Sequence, residues 1–287
     1  MKITKFMISR NATQTAAVSV HNLLKTDLGA FMKLLLFDLD DTLLRSDKTI
    51  SAHSLQTLTR CREKGLLLGI ATSRSAQNAK AFIEMLAPEV VISSGGALVQ
   101  YQGEIVSCSE FSAREVRRFI SLAKDICGNC EITVDTLCVH YWNRELDPAV
   151  DGADWGESIY SDFSDFADPA LKICVEISEE SLKNRLVSSF GECDVIRFAG
   201  TDWYKFTKPN TTKETAIINL CPAIGITPMD IIAFGDDIPD IGMLRLCGIG
   251  VAMENALTEV KAAADVVIGS NDSEAIAEYL ERTILTQ

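Results

Sequence analysis

The sequence predicts an α/β protein with a doubly wound, Rossmann-like core of parallel strands and an inserted second α/β unit. Three apolar runs, at residues 34–36, 66–71 and 231–234, have the length and composition of strands that are buried on both faces. Such continuous apolar runs are typical of parallel sheets, whose two faces are both covered by helices. The alternation of strands and helices stops after residue 96 and resumes near residue 213, which indicates an insertion.

The predicted core begins at Met32, and its elements follow from local signals. Ser51 is a good N-cap and Gly65 a good terminator, so residues 51–64 are predicted to form a helix. A short strand follows at 90–93. After the insertion we expect strands at 231–234, 248–252 and 266–268 and a last helix at about 273–283.

The insertion is predicted to be a small sheet with two helices. Its helices are expected at 113–126 and 179–190, and its strands at 131–134, 138–142, 171–177, 195–198 and 203–206. Residues 146–169 are rich in Asp, Ser, Gly and Pro and are expected to form a long surface loop. The predicted division is therefore an N-terminal extension at 1–31, a core at 32–98 and 208–287, and an inserted domain at 99–207.

Polar clusters follow each of the three apolar runs. In open parallel sheets ligands bind beyond the carboxyl ends of the strands, so these clusters are expected to form one site. The residues are Asp38, Asp40, Asp41, Thr72, Ser73, Asp236, Asp237 and Asp240. Several carboxylates at one place raise one another's pKa or require a cation, and Mg²⁺ prefers such oxygen ligands together with a substrate phosphate. For Asp41 and Asp237, a role as a turn former or helix cap is an equally good interpretation.

Lys213 is the expected positive partner of this cluster. Thr211 and Glu214 have the spacing of a capping box, which would place Lys213 in the first turn of a helix. A cation is disfavoured at that end of the helix dipole, unless it is merely solvated or faces an anion. The neighbouring carboxylates or a bound phosphate would be that anion.

These segments, in this order, resemble the haloacid dehalogenase superfamily of phosphohydrolases. The chain carries its DxDxT motif at Asp38–Thr42, its strand-end Thr at Thr72, its Lys at Lys213 and its GDxxxD motif at Gly235–Asp240. The tail, with its segments at 250–256, 260–265 and 270–272, is similar to the Cof-type branch, subfamily IIB. The likeness extends from Met32 to the C-terminus. In this family the inserted α/β unit is a cap domain, which closes over the substrate and supplies specificity contacts.

The resemblance implies a phosphatase that hydrolyses phosphomonoesters through an aspartyl-phosphate. Asp38 would be the nucleophile and Asp40 the general acid and base. The Asp38 carboxylate, the Asp40 backbone carbonyl and Asp236 would hold Mg²⁺. Thr72, Ser73 and Lys213 would bind the phosphoryl oxygens, and Asp237 and Asp240 would support them. The expected substrate is a small soluble phosphate ester, such as a sugar phosphate or a phosphorylated cofactor.

The chain also departs from the family's pattern. Gly95 and Pro239 stand where relatives often have Asn, Ser73 stands where they often have Gly, and Glu214 stands where many relatives have Gly. The loss of two Asn side chains near the phosphate or metal leaves rate and substrate preference open. The alternatives are a phosphomutase on the same core and a non-enzymatic phosphoacceptor or binding protein.

Composition limits the partners and the compartment. The net charge of -13 argues against binding to nucleic acid or an anionic membrane. Nine Cys residues without regular spacing are typical of reduced thiols, so we expect a cytoplasmic protein.

Residues 1–31 differ from the rest of the chain, with four basic residues against one acid, and they lie upstream of a start typical of the family at Met32. They are expected to be a loosely held extension or to precede the true start. A homodimer formed through the cap is left open.

Overall fold

A computed structural model describes residues 32–145, 158–198 and 200–286. The predicted extension at 1–31 and much of the predicted long loop, residues 146–157, lie outside the described residues. Two sheets organise the described chain. From edge to edge, the larger has the order β14 (Val266–Val267), β13 (Ile249–Ala252), β12 (Ile231–Gly235), β1 (Leu34–Phe37), β2 (Leu67–Ala71), β3 (Val90–Ser93), β4 (Leu98–Tyr101), β5 (Glu104–Cys108). The smaller has the order β10 (Asp194–Arg197), β11 (Trp203–Thr207), β9 (Lys172–Glu176), β6 (Ile132–Asp135), β7 (His140–Trp142), β8 (Ile159–Tyr160).

The larger sheet has a parallel part and an antiparallel edge. The parallel strands are β1 (Leu34–Phe37), β2 (Leu67–Ala71), β3 (Val90–Ser93), β12 (Ile231–Gly235), β13 (Ile249–Ala252) and β14 (Val266–Val267). The hairpin β4 (Leu98–Tyr101) and β5 (Glu104–Cys108) pairs antiparallel beside β3. This hairpin was not predicted, and most of it falls within the range assigned to the inserted domain. The predicted parallel α/β core is otherwise observed.

Both faces of this sheet are covered, as the apolar runs indicated. Leu35 and Phe37 of β1 pack into one cluster and Leu34 and Leu36 into another, and all four are at most 2% exposed. The helices that flank the sheet are α1 (Ala52–Glu63), α2 (Lys80–Leu86), α5 (Lys213–Ile224), α6 (Ile241–Leu246), α7 (Thr258–Ala263) and α8 (Ala275–Leu280), which is followed by a π-helical turn at Glu281–Leu285. Ser51 caps α1 by accepting a hydrogen bond from the Ser54 N–H, as predicted.

We call the smaller sheet and its two helices the cap. Its strands are β6 (Ile132–Asp135), β7 (His140–Trp142), β8 (Ile159–Tyr160), β9 (Lys172–Glu176), β10 (Asp194–Arg197) and β11 (Trp203–Thr207), and its helices are α3 (Ala113–Cys127) and α4 (Glu180–Phe190). Its apolar core includes Phe119, Leu186 and Phe206. The other face of this sheet carries charged residues. One of them, Lys172, reaches the larger sheet's domain, where the Lys172 ammonium donates to the Ser73 carbonyl at 2.8 Å.

Candidate active site

The carboxyl ends of three adjacent parallel strands carry the polar residues. Because β1 lies between β2 and β12, Asp38, Thr72 and Asp236 follow neighbouring strands at the same edge of the sheet. Lys213, the first residue of α5, reaches this edge from the helix N-terminus. Segments separated by nearly the whole length of the core sequence therefore meet at one place.

Lys213 is a buried cation held between two carboxylates. Its ammonium donates to Asp38 Oδ1 at 2.5 Å and to Asp240 Oδ1 at 2.6 Å. The residue is 2% exposed, and burial would lower its pKa, but the charges of Asp240 and Asp38 raise that pKa well above its ordinary value. Lys213 is thus fixed as a cation, and it faces anions as expected for a Lys at a helix N-terminus.

Asp240 positions the other groups. Its Oδ2 accepts the backbone N–H groups of Asp236 at 3.0 Å and Asp237 at 3.2 Å, while its Oδ1 accepts from Lys213. The carboxylate folds back so closely that a Cβ on Gly235 would lie 2.5 Å from the Cβ of Asp240. The Gly of the GDxxxD segment is therefore required by this close approach, and the last Asp holds the turn and the lysine together.

Asp236 and Asp38 are carboxylates in an environment that disfavours their charge. Burial, together with the charge of Asp240, raises the pKa of Asp236 to about 7, although the Thr42 hydroxyl donates to its Oδ1 at 2.6 Å. Burial also raises the pKa of Asp38, and repulsion from Asp240 and Asp236 adds to this effect against the attraction of Lys213. Ligand atoms of the three carboxylates lie within 4.8 Å of one another. This donor set fits a hard divalent cation, which would remove the repulsion.

Asp40 has cationic partners rather than a place in the carboxylate cluster. Arg74 donates to both of its oxygens at 2.7 Å, and Lys48 donates to Oδ1 at 3.1 Å. Burial alone would raise the pKa of Asp40, but the hydrogen bonds and charge of Arg74, then those of Lys48, bring it below its ordinary value. In this geometry Asp40 is therefore ionised, which is the form of a general base.

Thr72 and Ser73 lie at the end of β2, next to the carboxylates. Thr72 is 1% exposed, and its hydroxyl oxygen accepts the Arg74 N–H at 3.1 Å, which leaves its proton for another acceptor. The Ser73 carbonyl receives the Lys172 ammonium, whereas no hydrogen bond of its hydroxyl is formed with any described residue. Their assignment to phosphate binding stays a prediction.

Two of the remaining Asp residues shape turns. Asp237 is the N-cap of a 3-10 turn at Ile238–Asp240, and its side chain accepts the Ile238 N–H at 2.8 Å. Pro239 fits this turn because it stands in the first turn, where its missing N–H needs no partner. Asp41 adopts a left-handed conformation with φ 56° in the turn after β1. Both residues therefore have the turn or cap role, and the supporting role of Asp237 at the site stays a prediction.

The predicted capping box at Thr211 and Glu214 was wrong by one residue. Thr212 is the N-cap of α5 and accepts the Thr215 N–H, whereas the Thr211 hydroxyl hydrogen bonds to that of Ser109 at 2.9 Å. Lys213 nevertheless lies in the first helical turn. Two successive threonines offered the same capping chemistry, and only the tertiary contact of Thr211 distinguishes them.

The cap contributes a second set of buried charges, which sequence reasoning missed. Asp135 is fully buried; its carboxylate is paired with His140 Nδ1 at 2.5 Å and with Lys172 Nζ at 2.8 Å, and the Ser94 hydroxyl donates to it at 3.2 Å. Since Ser94 belongs to the large sheet's edge, this group joins the cap to the core.

Arg74, Lys48 and Thr42 are the other missed residues. Thr42 belongs to the DxDxT motif, and Arg74 directly follows Thr72 and Ser73. Their position after buried strands could therefore have indicated that they belong to the site. Lys48 lies ten residues after Asp38 in a turn, and nothing in its sequence context indicates that it returns to Asp40.

Comparisons with known proteins show the family of this chain. A family model described as haloacid dehalogenase-like hydrolase matches residues 35–280, so the chain belongs to this family. The protein is an enzyme of the phosphatase class within it. The family predicted from the ordered motifs is thus confirmed.

Three curated relatives match over nearly their whole length. The chain is 27% identical to the HMP-PP phosphatase of Cronobacter sakazakii, over 85% of this chain and 93% of that protein. It is 24% identical to the pyridoxal phosphate phosphatase of Escherichia coli, over 86% of this chain and 97% of the relative. It is also 24% identical to the 5-amino-6-(5-phospho-D-ribitylamino)uracil phosphatase of Bacillus subtilis, over 86% and 96% of the two chains.

Solved structures share the fold. A haloacid dehalogenase-like hydrolase from Bacteroides thetaiotaomicron superimposes with a TM-score of 0.77 at 25% identity, covering 88% of this chain and 99% of that one. A sugar phosphatase of subclass IIB superimposes with a TM-score of 0.76 at 23% identity, covering 88% and 98%. The predicted fold class is confirmed by these neighbours. Among the described residues, no helix combines the length and apolar character needed to cross a membrane.

Proposed function

We propose that this protein is a Mg²⁺-dependent phosphomonoester hydrolase that acts through an aspartyl-phosphate at Asp38. The observation that carries the proposal is the buried Asp38 carboxylate, held by Lys213 and flanked by Asp236 and Asp240 at the strand ends. A carboxylate in contact with a permanent cation is kept available as a nucleophile, and the same cation can receive phosphoryl oxygens.

Asp38, Asp236 and the backbone carbonyl of Asp40 would hold the metal ion. Asp240 is close enough to belong to this set, but both of its oxygens already accept hydrogen bonds, so we assign it to positioning Lys213 and the turn. When bound, Mg²⁺ supplies charge neutralisation between the Asp38 carboxylate and the phosphate dianion.

The proposed reaction has two steps. Asp38 attacks phosphorus, the bond from phosphorus to the ester oxygen breaks, and Asp40 gives the departing oxygen a proton. Asp40 then takes a proton from water, whose oxygen attacks phosphorus and releases Asp38 and inorganic phosphate. Since Arg74 holds Asp40 ionised, donation requires that Asp40 be protonated and turn away from Arg74. Thr72, Ser73 and Lys213 bind the phosphoryl oxygens throughout.

We propose small phosphorylated metabolites as substrates, namely sugar phosphates or phosphorylated cofactors. The curated relatives are named for phosphorylated cofactors and their precursors, and one structural neighbour is titled a sugar phosphatase. These names support a class of leaving group rather than one compound.

The test is phosphate release from a panel of phosphomonoesters, with and without Mg²⁺, by the wild type, Asp38→Asn and Asp40→Asn. We expect release that depends on Mg²⁺, falls to background in Asp38→Asn and drops by roughly 10²- to 10⁴-fold in Asp40→Asn. Asp47→Asn is the matched control and should keep full turnover, because it changes an exposed acid whose side chain accepts hydrogen bonds from Thr49. Full turnover by Asp38→Asn would exclude it as the nucleophile.

The same experiment separates the alternatives. No release from any ester, together with a phosphorylated Asp38 that persists for minutes, would indicate a phosphoacceptor. Turnover that requires a bisphosphate activator would indicate a mutase.

A further inference from the structure

Lys205 is a buried lysine whose charge has no partner. It lies on β11 of the cap and is 1% exposed. Across the described residues, no hydrogen bond or ion pair of its ammonium is formed. The other two buried lysines of this region, Lys172 and Lys213, are each paired with carboxylates. An unpaired charge is costly to bury, so its presence calls for a ligand.

The ammonium of Lys205 occupies the space left by a missing side chain. A Cβ on Gly95 would lie 2.3 Å from Lys205 Nζ, and Gly95 has a left-handed φ of +71°. The absence of a side chain in the core is therefore what admits the cap lysine.

The same turn touches the phosphate-binding residues on both sides. The Gly95 N–H donates to the Thr72 carbonyl at 3.0 Å. Gly96 is so close to the start of α5 that a Cβ there would lie 2.3 Å from the Thr212 carbonyl oxygen. The ammonium of Lys205 thus lies over the turn that packs between Thr72 and the N-terminus of α5, where Lys213 begins.

The surroundings of Lys205 favour an incoming anion. Burial first, and then the charge of Lys172, lower the pKa of Lys205 to about 8, and Lys213 adds to this repulsion. The Cys174 thiol and the Asp194 carboxylate act in the opposite direction and are weaker than the repulsion from Lys172. A negatively charged group placed here would meet the unpaired ammonium of Lys205, whereas Lys172 and Lys213 already have carboxylate partners.

We propose that Lys205 is a substrate contact: when the cap is closed, its ammonium binds a negatively charged group of the phosphate ester held at the strand ends. The inference rests on the proposed function, which supplies the anion. It makes closure of the cap depend on the charge of the ligand, because closure without an anion buries an unpaired ammonium.

The test compares wild type, Lys205→Met and Lys183→Met in the presence of Mg²⁺. Lys183 is a cap lysine on α4 that pairs with Glu180, so its replacement is the matched control. The readouts are the inhibition constant of inorganic phosphate and the KM values of ethyl phosphate and 2-phosphoglycolate. We expect Lys205→Met to weaken binding by roughly tenfold or more, as for the loss of a charge-assisted hydrogen bond, and Lys183→Met to leave it unchanged.

The three ligands identify which anion Lys205 binds. Weaker binding of all three, inorganic phosphate included, supports a contact with the phosphoryl group. Weaker binding of 2-phosphoglycolate alone supports a contact with an anionic group on the leaving group. Unchanged values for all three ligands would overturn the proposal.

Two further measurements exclude a purely structural role. Without phosphate, Lys205→Met should be at least as stable to heat as wild type, because an apolar chain replaces an unpaired buried charge. A lower Tm with unchanged binding of all three ligands would overturn the proposal. The double variant Gly95→Asn with Lys205→Met should recover part of the lost affinity, since Asn tolerates the left-handed φ and places an amide in the vacated space. Gly95→Asn alone should weaken phosphate binding, because the new side chain would collide with the Lys205 ammonium.

Calorimetric titration with inorganic phosphate separates the two proposals. If wild type hydrolyses no ester, the proposed function fails, but loss of phosphate binding in Lys205→Met still supports the contact. If wild type is a phosphatase and Lys205→Met binds phosphate normally and keeps all KM values, only the further inference fails.

Discussion

At the scale of single residues, the site contrasts two kinds of carboxylate. Asp38 and Asp236 are buried beside other acids, which raises their pKa values, whereas Asp40 is held by Arg74 and Lys48, which lower its pKa. The DxD spacing therefore places two chemically different acids two residues apart. Their surroundings, which come from β2 and from the turn after β1, produce the difference.

Arg74→Gln tests this control of Asp40. Removing the guanidinium should raise the pKa of Asp40, because its largest favourable contacts are lost while its burial remains. Protonated Asp40 then persists to higher pH, so the alkaline limb of kcat/KM should move upward for an alkyl phosphate. With p-nitrophenyl phosphate, whose leaving group needs little protonation, the shift should be small.

Lys48→Met is the control for this prediction. The Lys48 ammonium lies 3.1 Å from Asp40 Oδ1, and the Lys48 side chain is 27% exposed. The loss of Lys48 should therefore shift the alkaline limb of kcat/KM less than the loss of Arg74. Identical profiles for wild type and Arg74→Gln would show that Asp40 does not limit the reaction.

At the scale of elements, the helix starts show which local signals are sufficient. Ser51 and Ser112 cap α1 and α3 at the positions where an N-cap side chain is expected, and Ser112 forms a complete capping box with Glu115. The start of α5 depended instead on which of two threonines had a partner elsewhere. Capping chemistry defines a helix end well when only one residue offers it.

Ser112→Ala should lower the free energy of unfolding by about 1 kcal/mol, because the N–H groups at the start of α3 lose their side-chain acceptor. Ser121→Ala, at an exposed position inside the same helix, is the control and should be neutral or slightly stabilising, since Ala has the higher helix propensity. Urea denaturation measures both. Equal stability of the two variants would contradict the assigned cap.

At the scale of the whole molecule, the carboxylate cluster combines residues from the beginning of the core sequence with residues from its C-terminal part. Asp38 follows the first strand of the described chain, whereas Asp236 and Asp240 follow β12, and β1 and β12 are adjacent only in the folded sheet. A cation that binds all of them binds only the folded state. It should therefore stabilise the entire core rather than one loop.

Mg²⁺ should raise the Tm, and the increase should be larger at pH 8 than at pH 6. Burial raises the pKa of Asp236 to about 7, so below that pH the metal must displace a proton and binds more weakly, whereas above it the ligand is already ionised. Thermal unfolding with Mg²⁺, compared with the same ionic strength of NaCl, measures the effect. Asp236→Asn should abolish most of it, and a Tm increase independent of pH would contradict the assignment.

The sequence by itself determined the core. The apolar runs fixed which segments are buried strands, because a strand covered on both faces must be apolar throughout, and the polar residues that end each run could then only lie at one edge of a parallel sheet. For that reason Asp38 and Asp236 could be expected at one site before any contact was known, and the resemblance to the family then implied the roles that are proposed for them and for Lys213. The antiparallel hairpin at β4 and β5 was missed, since its half-exposed residues leave no continuous apolar run.

Only the tertiary structure decided how the charged side chains are paired. Arg74 with Asp40, Asp135 with Lys172 and His140, and the unpaired Lys205 beside Gly95 each join residues from different elements. Such pairs are set by strand order and by the docking of the cap on the core, neither of which leaves a local pattern in the chain. Burial then turns these contacts into the raised and lowered pKa values on which the proposed chemistry depends.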